Sequence, residues 1–104
     1  YVNPNTIEAQ VEGGVAMALG TAIKGEITVA NGGIVQSNFD DYPLLEIGEM
    51  PKVEVHIIPS EEPIGGIGEP PVPPAAPAVT NAVFAATGIR IRKLPFGPRD
   101  LKKA

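Results

Sequence analysis

Gly65-Gly66-Ile67-Gly68-Glu69-Pro70-Pro71, followed by Pro73, Pro74 and Pro77, is the stretch that divides this chain. Proline fixes φ and removes a backbone donor, whereas glycine opens conformations closed to other residues. A continuous strand does not pass through such a segment, so the elements on either side are read separately. On its C-terminal side a helix is predicted to begin near Pro74 or Pro77 and to carry Val79, Val83 and Phe84. Gly88 stops that helix as a favourable C′ residue. Ile89 to Leu94 then alternates in the manner of a strand, and Pro95 ends it. On the N-terminal side, Lys52 to Ile58 sets Val53, Val55 and Ile57 against Lys52, Glu54 and His56, which predicts a half-buried strand.

Further out, residues 38–51 read as a loop around Asp40-Asp41-Tyr42-Pro43 and Gly48-Glu49-Met50-Pro51. Before it, residues 26–29 and 34–37 flank Ala30-Asn31-Gly32-Gly33, and Asn-Gly is the strongest short hairpin signal. The chain begins with a predicted helix over residues 6–19. Asn3-Pro4-Asn5-Thr6 supplies capping residues, and Asn5 with Glu8 has capping-box spacing. Ile7, Val11, Val15 and Leu19 form one apolar stripe until Gly20 stops it. Gly13-Gly14 inside the helix costs about 1 kcal/mol per glycine relative to alanine, so a close backbone approach is expected there. The order α-β-β-β-α-β defines an α+β class: two helices packed on a small mixed sheet, one domain over residues 1–104.

Composition narrows the chemistry. The 104 residues have no cysteine, which removes disulfides, iron–sulfur ligation, Cys-based zinc sites and thiol nucleophiles. His56 is the single histidine, so neither a His-based triad nor a multi-His metal site is available. On the polar side of its strand it reads as an ordinary exposed residue. Asp40-Asp41, with no third ligand close in sequence, reads as solvated charge. Residues 1–89 hold 2 basic and 11 acidic side chains, while residues 90–104 hold 6 basic and 1 acidic. An acidic body with few aromatics is no nucleic-acid platform. The basic tail of Arg90, Arg92, Lys93, Arg99, Lys102 and Lys103 reads as a solvated strand face and chain end. No apolar run approaches the roughly 18 residues that span a bilayer, and no basic-then-apolar leader is present. An opening on Tyr1 rather than Met fits a processed chain, a truncated one or a piece of something longer.

The glycine run before a helix can cradle an anion through backbone N–H groups. It is neither a phosphate loop of the NTPase kind nor G-x-G-x-x-G. Glu69 is a carboxylate held between flexible glycines and the rigid Pro70-Pro71. From spacing alone an exposed glutamate in a turn is the stronger reading.

Gly65-Gly66-Ile67-Gly68-Glu69-Pro70-Pro71, with Ala78, Asn81-Ala82, Ala86-Thr87-Gly88, Arg90 and Leu94-Pro95, resembles a signature of the molybdenum hydroxylases. These form the xanthine dehydrogenase and aldehyde oxidoreductase superfamily. Val2-Asn3-Pro4, Gln10-Val11-Glu12-Gly13-Gly14 and Ala18-Leu19-Gly20 resemble a second signature of the same domain, in the family's order. The likeness covers residues 1–96 and corresponds to the C-terminal part of the molybdopterin-binding subunit. Gln36-Ser37-Asn38-Phe39, Asp41-Tyr42-Pro43 and Val53-Glu54-Val55-His56-Ile57 look most like the branch of the isoquinoline 1-oxidoreductase beta subunit and related membrane-linked aldehyde dehydrogenases. Lys24-Gly25 before the hairpin, and prolines denser over residues 70–77 than in xanthine dehydrogenase, favour that branch and leave the substrate open.

The resemblance implies an oxidoreductase that hydroxylates N-heteroaromatics or oxidises aldehydes with water as oxygen donor. It implies a molybdenum-pterin cofactor, in its cytosine dinucleotide form, in the full enzyme and none in the isolated segment. No side chain ligates the metal. Glu69 matches the carboxylate beside the molybdenum, the general base for the attacking oxygen. Gln10 is similar to residues that hydrogen-bond the pterin, and Gly66, Ile67 and Gly68 would line the cofactor; Gln10 also reads as a surface residue of an amphipathic helix. Glu12 is left unassigned. The implied partners are the remainder of the molybdenum-binding subunit, a small 2Fe-2S subunit and a cytochrome c electron acceptor, with no nucleic acid. A bacterial, periplasmic or membrane-associated setting is expected, and the segment alone should self-associate. A second class stays open: a folded, non-catalytic scaffold or assembly module.

Overall fold

The computed structural model describes residues 1–102; Lys103, the last basic residue of the tail, lies outside the described residues. Helix α1 spans Pro4–Ile23. Of the capping residues in the Asn3–Thr6 stretch, Asn3 is the cap, its side-chain oxygen accepting the Asn5 N–H at 2.9 Å, and the Asn5–Glu8 capping box is not used. Pro4 then occupies the first helical position, where a missing N–H costs nothing. Gly20 does not stop the helix. It is buried, and a Cβ there would stand 3.5 Å from the Leu45 backbone nitrogen, so the glycine admits a neighbouring loop. The helix ends one turn later, where the Gly20 carbonyl accepts N–H bonds from Lys24 and Gly25 at 2.9 and 2.8 Å.

Helix α2 spans Val72–Thr87 and begins before the expected Pro74. Pro71 is its cap, and Pro73 and Pro74 fall in the first turn, whose N–H groups have no intrahelical acceptor. Only Pro77 lies in the interior. Gly88 ends the helix as read, at φ 73° in the left-handed region, its N–H donating to Phe84 at 2.8 Å.

The hairpin is real but short. Strand β1 (Val29–Ala30) pairs antiparallel with β2 (Gly33–Ile34), Val29 opposite Ile34. Asn31 and Gly32 make the turn at φ 50° and 78°, the positive values an I′-type turn requires. The ladder frays below because the Thr28 N–H donates to the Gln36 side chain at 2.7 Å instead of to a facing carbonyl.

The expected mixed sheet is corrected. Among the described residues the sheet has two strands, and residues 52–58 and 89–94 join no ladder. Their alternation still shows in burial: Val53, Val55, Ile57, Ile89 and Ile91 are half-buried while Lys52, Glu54, His56, Arg90 and Arg92 are exposed. Alternation sets which side faces inward, whereas a strand also needs a neighbour to take its backbone hydrogen bonds. Among the described residues the helices pack chiefly on each other.

The inward face of α1 carries half-buried Ile7, Val11 and Val15 with buried Gly14, Ala18, Leu19 and Ala22. Phe96 returns to this core, its N–H bonded to the Ala22 carbonyl at 2.9 Å. That core is small. The radius of gyration is 16.6 Å, against about 13 Å for a compact chain of this length. The accessible surface is 8030 Å², against about 5,500 Å² for a folded monomer of this mass.

Candidate functional site

One face of α1 follows the glycine-proline segment for three successive turns. Thr6 and Ile7 face Gly65, Gly66 and Ile67 across a cleft. One turn on, the Gln10 side-chain oxygen lies where a Cβ on Gly68 would come within 3.3 Å of it. Another turn on, buried Gly14 meets Pro71, and a Cβ on Gly14 would stand 3.0 Å from the proline Cβ. The i, i+4, i+8 spacing of Thr6, Gln10 and Gly14 produces this alignment. The structure thereby brings Gln10 together with Gly68, residues 58 positions apart in sequence.

Glu69 follows Gly68 directly and opens the turn into α2, its carbonyl accepting the Val72 N–H at 2.9 Å. Pro70 and Pro71 fill the middle of that turn. Glu69 is exposed, and among the described residues its carboxylate has neither a hydrogen bond nor an ion pair. Gly65, Gly66 and Gly68 do not use the left-handed region that glycine permits. Their missing side chains leave space instead: a Cβ on Gly65 or Gly66 would meet nothing within 4 Å. Among the described residues the backbone N–H groups of residues 65–68 find no acceptor, so this backbone can receive a ligand.

The cleft between the start of α1 and residues 57–67 holds about 940 Å³, the upper part of the range usual for small-molecule and cofactor sites. Tyr1, Val2, Ile7, Ile57, Ile58 and Ile64 give it apolar walls, and Ser60 and Glu62 add polar atoms. Gly66 and Ile67 belong to its wall, whereas Gln10, Gly68 and Glu69 stand beyond its edge. No group of three or more His, Cys, Asp or Glu side chains that could hold a metal ion occurs among the described residues. Exposed backbone donors, an amide side chain and open glycine space fit a group that brings its own metal ligands.

Two carboxylates outside the cleft, Asp41 and Glu49, serve the scaffold. His56 is exposed. Asp41 accepts the Ser37 and Asn38 N–H groups at 2.9–3.0 Å, and the Asn38 bond, then that of Ser37, holds its carboxyl below the ordinary range. The hydrogen bond from Lys24 holds Glu49 low, with help from the Glu46 N–H. The Lys24–Glu49 contact ties the 37–49 loop to the end of α1, and the Asp41 bonds close the loop on itself.

Sequence reasoning missed the cleft and the role of Pro71. Ile57-Ile58 breaks the strand alternation and was the available signal for the cleft wall. Gly13-Gly14 signalled a close approach, but only Gly14 makes it; a Cβ on Gly13 would meet nothing within 4 Å.

The model of the molybdopterin cofactor-binding domain matches residues 1–51. The beta subunit of isoquinoline 1-oxidoreductase from Brevundimonas diminuta is 34% identical over 91% of this chain and 12% of its own. The xanthine dehydrogenase molybdenum-binding subunit of Escherichia coli O157:H7 is 36% identical over 96% of this chain and 14% of its own. The crystal structure of quinoline 2-oxidoreductase from Pseudomonas putida 86 superposes with a TM-score of 0.81 at 27% identity, over 95% of this chain and 14% of that one. The fold and the paired motifs are those of a molybdopterin-binding segment. The chain belongs to the molybdenum hydroxylase family and corresponds to part of its large, molybdenum-binding subunit. It spans 12–14% of the length of these relatives.

Proposed function

We propose that this chain is the C-terminal, cofactor-facing segment of a molybdenum-dependent oxidoreductase that hydroxylates N-heteroaromatics or oxidises aldehydes with water as oxygen donor. The observation that carries the reading is the meeting of Gln10 with Gly68 beside Glu69, which unites both family signatures at one place. A molybdenum-pterin cofactor, in its cytosine dinucleotide form, supplies the redox chemistry that side chains lack. The N–H groups of Gly66, Ile67 and Gly68 bind its polar edge, and the Gln10 amide adds both a donor and an acceptor. Glu69 takes the proton released as oxygen is delivered to the electron-poor carbon. Its backbone is held by the turn to Val72, which anchors the root of the side chain.

The remaining parts of the subunit close the site, and a 2Fe-2S subunit and a cytochrome c carry electrons away, in a bacterial, periplasmic or membrane-associated complex. The test is the molybdenum and pterin content of that complex, with turnover of an N-heteroaromatic and an aldehyde in oxygen-labelled water. Stoichiometric molybdenum and label in the product are expected. A stable, metal-free complex without turnover would instead identify a scaffold.

A further inference from the structure

Gly14 is the third position along α1 that faces the glycine-proline segment, and there the helix backbone meets a rigid ring. A Cβ added there would stand 3.0, 3.3 and 3.5 Å from the Cβ, Cγ and Cδ of Pro71. Contacts of 3.0 Å between carbons lie inside the ordinary 3.5–4.0 Å separation, so one partner must move. Pro71 has little freedom to do so: it caps α2 and lies within the turn that the Glu69 carbonyl closes with the Val72 N–H. Displacement of Pro71 therefore passes through Pro70 to Glu69. Gly68, on the other side of Glu69, sits against Gln10 one turn earlier on α1. Gln10 and Gly14 thus hold the two flanks of Glu69 from a single helix.

We infer that Gly14 is a positioning residue for Glu69: its missing side chain lets α1 seat Pro71, and this seat sets where the carboxylate stands relative to Gln10. The inference rests on Glu69 being the base. Gly14 makes no contact with the cofactor or substrate and acts only through Pro71. A misplacement of about 1 Å at a reacting group can cost on the order of 10²-fold in rate, whereas loss of packing alone lowers stability. The two roles are therefore separable.

The complete molybdenum-loaded enzyme is compared as wild type, Gly13→Ala, Gly14→Ala, Gly14→Val and Glu69→Gln. Turnover is expressed per bound molybdenum, and amide exchange is followed over residues 65–72. Gly13→Ala should match the wild type, since its Cβ meets open space. Turnover should fall several-fold in Gly14→Ala and by about 10–100-fold in Gly14→Val, with KM changed less than kcat and faster exchange at the Val72 amide, which closes the turn on the Glu69 carbonyl. Gly14→Val within twofold of wild type per molybdenum would overturn the inference. If that variant does not fold, the same result for Gly14→Ala overturns it. A loss of activity that only follows loss of molybdenum also overturns it. Normal turnover in Glu69→Gln marks the separate failure of the base assignment.

Discussion

At the scale of single residues, small differences in spacing decide which of several similar groups matters. Asp40 and Asp41 are adjacent and both exposed, yet only Asp41 receives the N–H groups of Ser37 and Asn38. Its carboxyl is held below the ordinary value in the folded chain, so the stabilisation is complete above the unfolded value of about 3.9 and is lost as pH falls through the folded value. Protection of the Asn38 amide against exchange should therefore be flat from about pH 5 to 8 and collapse only in stronger acid. Asp41→Asn should lower that protection across the whole range; equal protection in wild type and variant at neutral pH would refute the role. The sequence could not separate the pair, because the distinction arises from how the loop closes. The glycine signals were legible in kind but not in detail. Gly32 and Gly88 take the positive φ that was expected of them, whereas Gly14 and Gly20 serve close approach.

Among the elements, the helices were legible from apolar spacing and capping residues, with errors of a few residues at their ends. Those errors come from prolines that suit a first turn and from a buried glycine that admits a loop. The strands were legible only as alternation, because pairing depends on partners that local sequence does not encode. Part of the family signature proves to be structural at this scale. Arg90 lies 3.6 Å over the Phe84 ring and donates to the Asn81 side-chain oxygen at 2.7 Å, closing the end of α2. Arg90→Ala should destabilise the assembled protein by about 1 kcal/mol, and Arg90→Lys should recover little because an ammonium lacks the planar face. Thermal denaturation checks this; an unchanged midpoint in Arg90→Ala would show that the stack contributes nothing.

The whole molecule exposes more than its own core can justify. Ile58 and Ile64 are 83% and 86% exposed, in the walls of the cleft that also holds Gly66 and Ile67. Apolar surface of this extent marks an interface. The isolated chain should therefore self-associate or melt at low temperature, and should bind no molybdenum cofactor with useful affinity, since a site needs walls on most sides. Light scattering showing a strict monomer with a high melting temperature, or stoichiometric molybdenum in the isolated chain, would contradict this. The proposed chemistry belongs to the complete protein, and there Glu69 is distinguished from Glu61 and Glu62 by its place after Gly68 in the turn into α2. Glu61 and Glu62 are equally exposed, and Glu62 stands on the cleft wall instead. The decisive measurement is turnover per bound molybdenum in Glu69→Gln, with Glu61→Gln alongside. The Glu69 variant should keep its cofactor and lose about 10²–10⁴-fold in rate, as expected for a removed general base, while Glu61→Gln, outside the cleft, stays near wild type. Near-normal turnover in a molybdenum-replete Glu69→Gln enzyme would contradict the account.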